Sequence, residues 1–320
     1  MKSFSILNEK NPMDNPTKSS TSGQLFKCVM RIVANNKKLA IFPALSLLSC
    51  TFLLAIFAAP AFLEPTGHAW NQVEYWQVIW GRFADVAPTQ AHHFRAWHLK
   101  SVTYVWLGVL YLITMVATTF FNVALYHEAM KAMAGERSSI RRGMAFASGR
   151  IQSILVWSLF AGSVGLLLQA VAERLGPVGK FVIRLIGLSW SVAAVFVIPV
   201  MVREESANPV TLLKSSVQML KRTWGDALLG FVKIRFAAVF ILMVMCVWGF
   251  MFVSRAGNVN VERMVVLGAF FSAVFILQSF VLGFVNDIYR CALYVFASEG
   301  VVPEPFSEDD MNAAWKVKTK

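Results

Sequence analysis

The chain has 320 residues, of which 57% are hydrophobic and only 15% charged, and its mean hydropathy is +0.57. A typical soluble domain is about 25% charged, so a water-soluble globular protein is excluded and lipid is the expected solvent. The formal net charge of +12 suggests nucleic-acid binding in a soluble protein. Here the placement of the bases between membrane spans explains that charge, and we expect no nucleic-acid partner.

Residues 1–22 are rich in Ser, Asn, Lys and Pro, which predicts a disordered cytoplasmic tail. A helical pattern follows from Gly23 to Lys38, with Lys27 and Arg31 on the polar side. The apolar face of this predicted helix carries Phe26, Val29, Met30 and Val33. Such a helix is typical of a membrane interface, where it leads into the first span.

Six apolar stretches without Asp, Glu, Lys or Arg predict six transmembrane helices, because a bilayer core of about 30 Å needs about 20 apolar helical residues. They are Leu39–Leu63, Ser101–Tyr126, Ile151–Ala172, Leu185–Val202, Phe236–Ser254 and Met264–Asn286. The fourth lengthens to 181–202 if Arg184 extends its charged group to the interface. The expected fold is an all-α polytopic membrane protein, with a transmembrane domain over residues 23–300.

The longest segment on the outer side is predicted to be Glu64–Lys100. Aromatic and apolar residues recur in it at helical spacing, at Trp70, Val73, Trp76, Trp80 and Phe83. This pattern indicates an aromatic helix lying on the membrane interface. A ligand-stacking platform is the alternative.

Four histidines fall in the same outer segment, at His68, His92, His93 and His98. Imidazole is a common metal ligand, and Glu64, Glu74 and Asp85 lie nearby in sequence. If a helix follows Pro88, however, His93 and His98 lie about 140° apart around its axis, and the set does not converge on one ion. We therefore expect surface histidines and assign no metal, cofactor or catalytic residue; a metal site is the alternative.

The cytoplasmic connections are predicted to be amphipathic helices. His127–Arg150 is helical and basic, and in the next connection Asn208 is a cap with Pro209 in the first helical position. The apolar stripe of this second helix is predicted to be Val210, Leu213, Val217, Leu220 and Trp224. Residues 301–320 are predicted to be a cytoplasmic tail with a short helix that begins near Ser307.

The bases indicate the orientation. With the N-terminus in the cytoplasm, 22 of the 30 Lys and Arg residues lie in cytoplasmic segments, as the positive-inside rule requires. Both termini are then cytoplasmic, and the juxtamembrane bases face anionic lipid headgroups. None of the four cysteines lies in an outer segment, so no disulfide framework is expected. Protein partners and a homo-oligomer remain open.

The sequence contains none of the catalytic motifs considered next. The sequence contains no GxSxG, HExxH or phosphate-binding loop, and the acids at Glu128 and Glu204-Glu205 are placed as ordinary helix ends. An enzyme is therefore not expected, and the absence of ionisable residues from the six spans disfavours a proton relay. Neutral polar residues such as Asn122 and Gln278 leave a channel or carrier for a neutral or lipid-like solute as the alternative function.

Small residues four apart predict close helix packing. These pairs are Ser158/Gly162 and Ala161/Gly165 in the third span, Gly187/Ser191 in the fourth, and Gly268/Ser272 and Ser279/Gly283 in the sixth.

The segments Val197–Glu205 (VIPVMVREE), Asn208–Ser216 (NPVTLLKSS), Lys221–Gly225 (KRTWG) and Ile288–Gly300 (IYRCALYVFASEG) resemble those of a family of bacterial multi-span membrane proteins of unknown function. The resemblance extends over about residues 23–315. It implies a bacterial inner-membrane protein with six helices, and it assigns no catalytic residue.

Overall fold

The computed structural model describes residues 18–86, 97–222 and 261–306. In chain order its elements are α1 (Lys18–Asn35), a 3-10 turn (Lys37–Ala40), α2 (Ile41–Leu63), α3 (Val73–Phe83), β1 (Ala84–Val86), β2 (Trp97–Leu99), α4 (Ser101–Met133), α5 (Ile140–Gly149), α6 (Ile151–Arg174), α7 (Pro177–Ala193), α8 (Val197–Arg203), α9 (Pro209–Arg222) and α10 (Val261–Glu299). The two short strands pair antiparallel, and the rest of the regular structure is helical.

Within these ranges, five helical stretches are long and apolar enough to cross a membrane. They are Lys37–Leu63, Ser101–Met133, Ile151–Arg174, Pro177–Arg203 and Val265–Glu299. Each overlaps one of the predicted spans, so the chain is a helical membrane protein. The predicted span Phe236–Ser254 lies outside the described residues, as do the predicted tail helix from Ser307 and residues 1–17 of the predicted disordered tail. Helix α1 begins at Lys18, five residues before Gly23.

Two helices are longer than the apolar runs that predicted them. Helix α4 continues past Tyr126 to Met133, and α10 continues past Asn286 to Glu299. The apolar runs end just before the acids Glu128 and Asp287. Each helix continues through its acid because the side chain has a partner in the folded protein, Arg142 for Glu128 and Tyr126 for Asp287. The predicted fourth span differs in another way, because it is divided into α7 and α8 by a break at residues 194–196.

The buried residues concentrate at one end of the bundle. We call this the basic end; it comprises α1, the 3-10 turn, the first turn of α2, α5, α8, α9 and the C-terminal turns of α4 and α10. Its core includes Leu39, Phe42, Val123, Met201 and Leu293, each with no more than 1% exposure. The other end, formed by α3, β1, β2 and the helix ends beside them, we call the aromatic end.

The buried faces of the connecting helices agree only in part with the predicted apolar faces. In α1, Val29 is buried as predicted, but Met30 is exposed and Ile32 is buried. In α9, Leu220 is buried as predicted, but Val210 is exposed and Leu212 is buried. In α3, whose aromatic stripe is predicted to lie on the membrane interface, Trp80 is exposed and Ile79 is buried. The reason is physical: apolar side chains can face lipid as well as the core, so hydrophobicity alone does not fix the inward face.

Close packing between α4 and α6 follows the small residues of the third span. A Cβ added to Gly162 would lie 2.7 Å from Leu112 Cδ2, and one on Gly165 would lie 2.9 Å from Tyr111 Oη. Ser158, fully buried, donates a hydrogen bond to the Met115 carbonyl at 3.4 Å. The predicted contact is thus confirmed for this helix.

The glycines predicted to pack in the fourth and sixth spans behave differently. A Cβ on any of Gly187, Gly268 and Gly283 would have no neighbour within 4 Å. These positions therefore contribute no close backbone approach within the described chain.

Candidate functional site at the basic end

Glu128, near the C-terminal end of α4, is the most deeply buried charged side chain of the basic end, with 0% exposure. A buried carboxylate is costly unless it is paired and hydrogen-bonded. The Ser139 backbone N–H donates to Glu128 Oε2 at 2.6 Å, and Arg142 donates from Nε to Oε1 at 2.8 Å and from Nη2 to Oε2 at 2.9 Å. This bidentate pair fastens α5 onto α4.

The pair extends into a network of four charged residues. Arg142 Nη1 donates to Glu136 Oε2 at 3.1 Å, and Lys131 Nζ donates to Glu136 Oε1 at 2.8 Å. The hydrogen bond from Lys131, together with the charge of Arg142, lowers the pKa of the Glu136 carboxyl. The hydrogen bond to Glu128 raises the pKa of Arg142. The network thus sets two carboxyl groups against two basic groups.

Helix α5 comes close enough to α2 and α4 that Gly143 leaves no room for a side chain. A Cβ there would lie 2.7 Å from Phe42 Cζ, 2.9 Å from Glu128 Cγ and 3.1 Å from the Ala124 carbonyl oxygen. The position of the buried ion pair therefore depends on this glycine.

A small cavity of about 190 Å³ lies beside the network. Its lining residues are His127, Met130, Lys131, Ala134, Phe146, Val202 and Arg203. The His127 ring stacks on Phe146, with ring centroids 3.9 Å apart and an interplanar angle of 15°. Arg203 forms an ion pair with Glu299 of α10, and Lys131 is already held by Glu136, so the cations of this cavity are neutralised by the protein itself.

The junction of α5 and α6 is tied to the end of α8 through Arg150. Its Nη1 donates to the Glu204 carbonyl at 3.2 Å, and its Nη2 lies 3.3 Å from Glu205 Oε1. Its guanidinium also lies 5.5 Å from the centroid of the Phe146 ring. Glu204 in turn accepts a hydrogen bond from Ser215 at 3.0 Å. The two acids that the sequence places at a helix exit thus serve as structural partners.

The break between α7 and α8 is bridged by a residue of α9. Ser216 is fully buried; its Oγ donates to the Ala193 carbonyl at 2.6 Å and accepts from the Phe196 N–H at 3.1 Å. These two backbone groups have lost their helical partners at the break, and Ser216 replaces both. Asn208 Oδ1 accepts from the Val210 N–H at 2.9 Å, so the predicted cap of α9 is confirmed.

Helix α10 is joined to α4 at the same depth. Tyr126 Oη donates to Asp287 Oδ1 at 3.2 Å, and Cys291 Sγ donates to the Tyr126 carbonyl at 3.8 Å. Cys28 of α1 also donates to the Pro305 carbonyl at 3.5 Å. The segments before α2 and after α10 are therefore both parts of the basic end.

A second set of bases at this end is exposed and lacks a carboxylate partner within the described residues. These are Lys27, Arg31, Lys37, Lys38, Arg137, Arg141, Lys214 and Lys221. The Ser138 N–H donates to Asn36 Oδ1 at 3.4 Å, which brings the loop carrying Arg137 against the turn carrying Lys37 and Lys38. Lys37, Lys38, Arg137 and Arg141 form what we call the basic patch.

Among known proteins, the sequence profile of DUF6159, a family of unknown function, matches residues 101–303. The chain belongs to this family. The matched region includes the buried pair Glu128–Arg142 and the helix break bridged by Ser216, and it begins after α1, α2 and α3. Neither the curated proteins nor the solved structures gave a match.

The histidines singled out in the sequence are not brought together in the described chain. His68 is exposed, His98 is in β2 with its backbone paired to Asp85, and His92 and His93 lie outside the described residues. Among the described residues, no three His, Cys, Asp or Glu side chains are placed to hold a metal ion. The metal alternative for His92 and His93 stays untested.

Sequence reasoning missed the buried pair and the serine bridge. Glu128 was placed at a helix end, and the sequence separation of 14 residues between Glu128 and Arg142 corresponds to no helical contact. One sequence signal could have indicated Ser216: it lies four residues from both Leu212 and Leu220, which are buried, so it shares their face of the helix.

Proposed function

We propose that this protein is a non-enzymatic, six-span protein of a bacterial inner membrane, with both termini in the cytoplasm, whose basic patch binds anionic phospholipid headgroups. Amphipathic helices α1, α5 and α9 lie in the cytoplasmic interface and present the bases. The observation that carries the proposal is the division of the bases into those with carboxylate partners, such as Arg142, and those without.

Chain connectivity supports the sixth span. Helix α9 ends at Arg222 at the basic end, where α10 also finishes at Glu299. Helix α10 has 39 residues and is therefore about 58 Å long, so Val261 lies at the opposite end. The predicted span Phe236–Ser254 is long enough to cross a bilayer, and in this proposal it connects the two ends.

Charge supports binding at the basic end. The bases of the interior network are paired with Glu128, Glu136, Glu205 and Glu299, whereas those of the basic patch have no carboxylate partner among the described residues and bind lipid phosphates in this proposal. Each such base near an anionic membrane surface contributes about 1 kcal/mol. Asn122 and Gln278 do not line the cavity beside the network. A channel or carrier for a neutral or lipid-like solute is the alternative function.

The proposal is tested by purifying the intact protein in mild detergent and identifying bound lipids by native mass spectrometry. Replacing Lys37, Lys38, Arg137 and Arg141 together by Gln is expected to lower the number of phosphatidylglycerol molecules retained per protein, because the basic patch then no longer binds their headgroups. The matched control replaces Arg174, Lys180 and Arg184, which are exposed bases at the aromatic end, and should retain the lipid.

Equal retention in both variants would overturn the proposal. So would a co-purifying protein that depends on the basic patch while no lipid does, since that result would make the patch a protein-docking face. Orientation has a separate test: reporter fusions after Arg137 and after Trp80 should report the cytoplasm and the opposite compartment, respectively.

A further inference from the structure

A second and larger cavity, of about 420 Å³, lies at the aromatic end between α2 and α4. Its lining residues are Phe57, Pro60, Ala61, Glu64, Arg82, Phe83, Lys100, Val102, Thr103 and Trp106. The volume is within the range of about 300–1,000 Å³ that is typical of ligand pockets. It is apolar on one side and charged on the other, which is the division expected of a site for an amphiphile.

The apolar wall is formed by two aromatic residues that face each other across the helix pair. The rings of Phe57 and Trp106 have centroids 4.7 Å apart, and Trp106 Nε1 donates to the Phe57 carbonyl at 3.0 Å. Trp106 is 42% exposed and Val102 is 77% exposed. Both belong to a membrane-spanning helix, so this wall is open sideways to lipid chains.

The charged wall is held rigidly by backbone carbonyls. Arg82 donates from Nη1 to the carbonyls of Ala61 and Glu64, the latter at 3.1 Å, and from Nη2 to the Pro65 carbonyl at 3.2 Å. These bonds cap the C-terminal end of α2 and fix the guanidinium. Thr103 Oγ1 donates to the Phe83 carbonyl at 2.8 Å, which joins α4 to α3.

Lys100 retains the capacity to bind an anion. One of its three N–H donors bonds to the Gly81 carbonyl at 2.7 Å, and Asp85 Oδ1 lies 3.8 Å away, beyond hydrogen-bond distance. The side chain is 38% exposed. The cations Arg82 and Lys100 are balanced by Glu64, at 3.5 Å from Arg82, and by Asp85, at 3.8 Å from Lys100. Lys100 has N–H donors beyond the one bonded to Gly81, and these can bind an anion that enters the cavity.

We propose that this cavity binds one phospholipid of the surrounding bilayer, with the headgroup phosphate on Lys100 beside Arg82 and an acyl chain along Phe57 and Trp106. This site is independent of the basic patch, which lies at the other end of the bundle. A bilayer lipid is the occupant because the apolar wall opens into the membrane-spanning surface and the charged wall lies at its boundary.

The experiment uses the full chain in which the basic patch has already been replaced by Gln, so that lipid retained there does not contribute. Dioleoyl phosphatidylglycerol is titrated into the delipidated protein in detergent, and binding is followed by native mass spectrometry. Lys100→Gln should weaken the remaining affinity at least tenfold. Lys180→Gln, an exposed base at the same end but outside the cavity, should leave it unchanged.

Two further probes distinguish a lipid from its parts. Inorganic phosphate alone should compete only weakly, and dioleoylglycerol, which has the same chains without phosphate, should bind at least tenfold more weakly. Lys100→Arg keeps the charge and should restore binding if Lys100→Gln acts through charge rather than misfolding. Unchanged affinity in Lys100→Gln, competition by phosphate equal to that by lipid, or equal binding of dioleoylglycerol would each overturn the proposal.

Discussion

The two ends of the bundle are held together by different interactions. At the basic end, charged side chains pair with each other around a buried core, as in Arg142 with Glu128 and Arg203 with Glu299. At the aromatic end, Arg82, Lys100 and Trp106 donate to backbone carbonyls. The ion pairs Arg82–Glu64 and Lys100–Asp85 at this end are longer, at 3.5 and 3.8 Å, and their acids are exposed. One end of a membrane protein can therefore depend on side-chain pairs, which need a particular partner residue. The other end can depend on backbone carbonyls, which every sequence provides.

Between these ends, the described helices bury few side chains against one another. None of the residues in the most apolar stretch of α10 is buried, whereas Ile288 and Leu293 near its C-terminal end have 0% exposure. Hydrophobic burial against protein therefore stabilises mainly the basic end, and substitutions there are expected to cost more than those at the aromatic end.

The largest effect is expected for Arg142→Gln. It leaves the Glu128 carboxylate buried without its bidentate partner, a change that costs about 3 kcal/mol, at the lower end of the range for buried pairs because Arg142 is 38% exposed. The neighbouring Arg141→Gln removes an exposed base without a carboxylate partner in the described chain and should cost less than about 0.5 kcal/mol. Unfolding of the two variants in detergent provides the comparison, and equal stability would show that the pair contributes nothing.

Ser216→Ala should follow in size. The Phe196 N–H and the Ala193 carbonyl both lose the hydrogen bond to Ser216, and each unsatisfied buried group costs roughly 1–3 kcal/mol. Because the backbone at the helix break can relax, we expect a total loss of stability of about 2 kcal/mol. Ser148 bonds only to Met144 of its own helix, so Ser148→Ala is the control. Similar melting temperatures for the two variants would mean that the break needs no bridge.

Gly143→Ala tests the close approach of α5. The new Cβ meets the Ala124 carbonyl and the Phe42 ring, and overpacking of this kind costs about 1–3 kcal/mol. Gly149, in the same helix, has no neighbour within 4 Å of its Cβ position. Gly149→Ala should therefore be neutral or stabilising by about 0.5 kcal/mol. Reversal of this order in a thermal unfolding series would contradict the packing described for α5.

The smallest effect is expected at the aromatic end, for Arg82→Gln. Three carbonyls at the end of α2 lose a donor, but these groups lie near the membrane boundary where water can replace it, so we expect about 1 kcal/mol. Arg174→Gln, an exposed base at the same end, is the control. A loss as large as that of Arg142→Gln would remove the distinction between the two ends.

The sequence predicted the membrane helices well and their inward faces poorly. Long apolar runs are costly anywhere but in lipid, so α2, α4, α6 and the helices after them lie where their runs indicated. The inward face of a helix is harder to predict, because an apolar residue such as Met30 or Val210 is as favourable against lipid as it is in the protein core.

What does mark the inward face in this chain is small or polar residues. Ser158 and Ser216 are fully buried, and Gly143 and Gly162 allow helices to touch. The candidate site was the least predictable part, because its ion pairs join residues from different helices. Arg203 and Glu299, for example, are 96 residues apart in the chain.

The N-terminal residues that precede the DUF6159 match are built into the interior of the region that follows them. Leu39 and Phe42 have 0% exposure, and Phe42 reaches the helix that carries Arg142. A truncation that kept only residues 101–303 would remove the far wall around Gly143 and open a hole beside Glu128. Expression trials should accordingly retain everything from Lys18 onward, since the boundaries of a family profile do not coincide here with the boundaries of a stable folding unit.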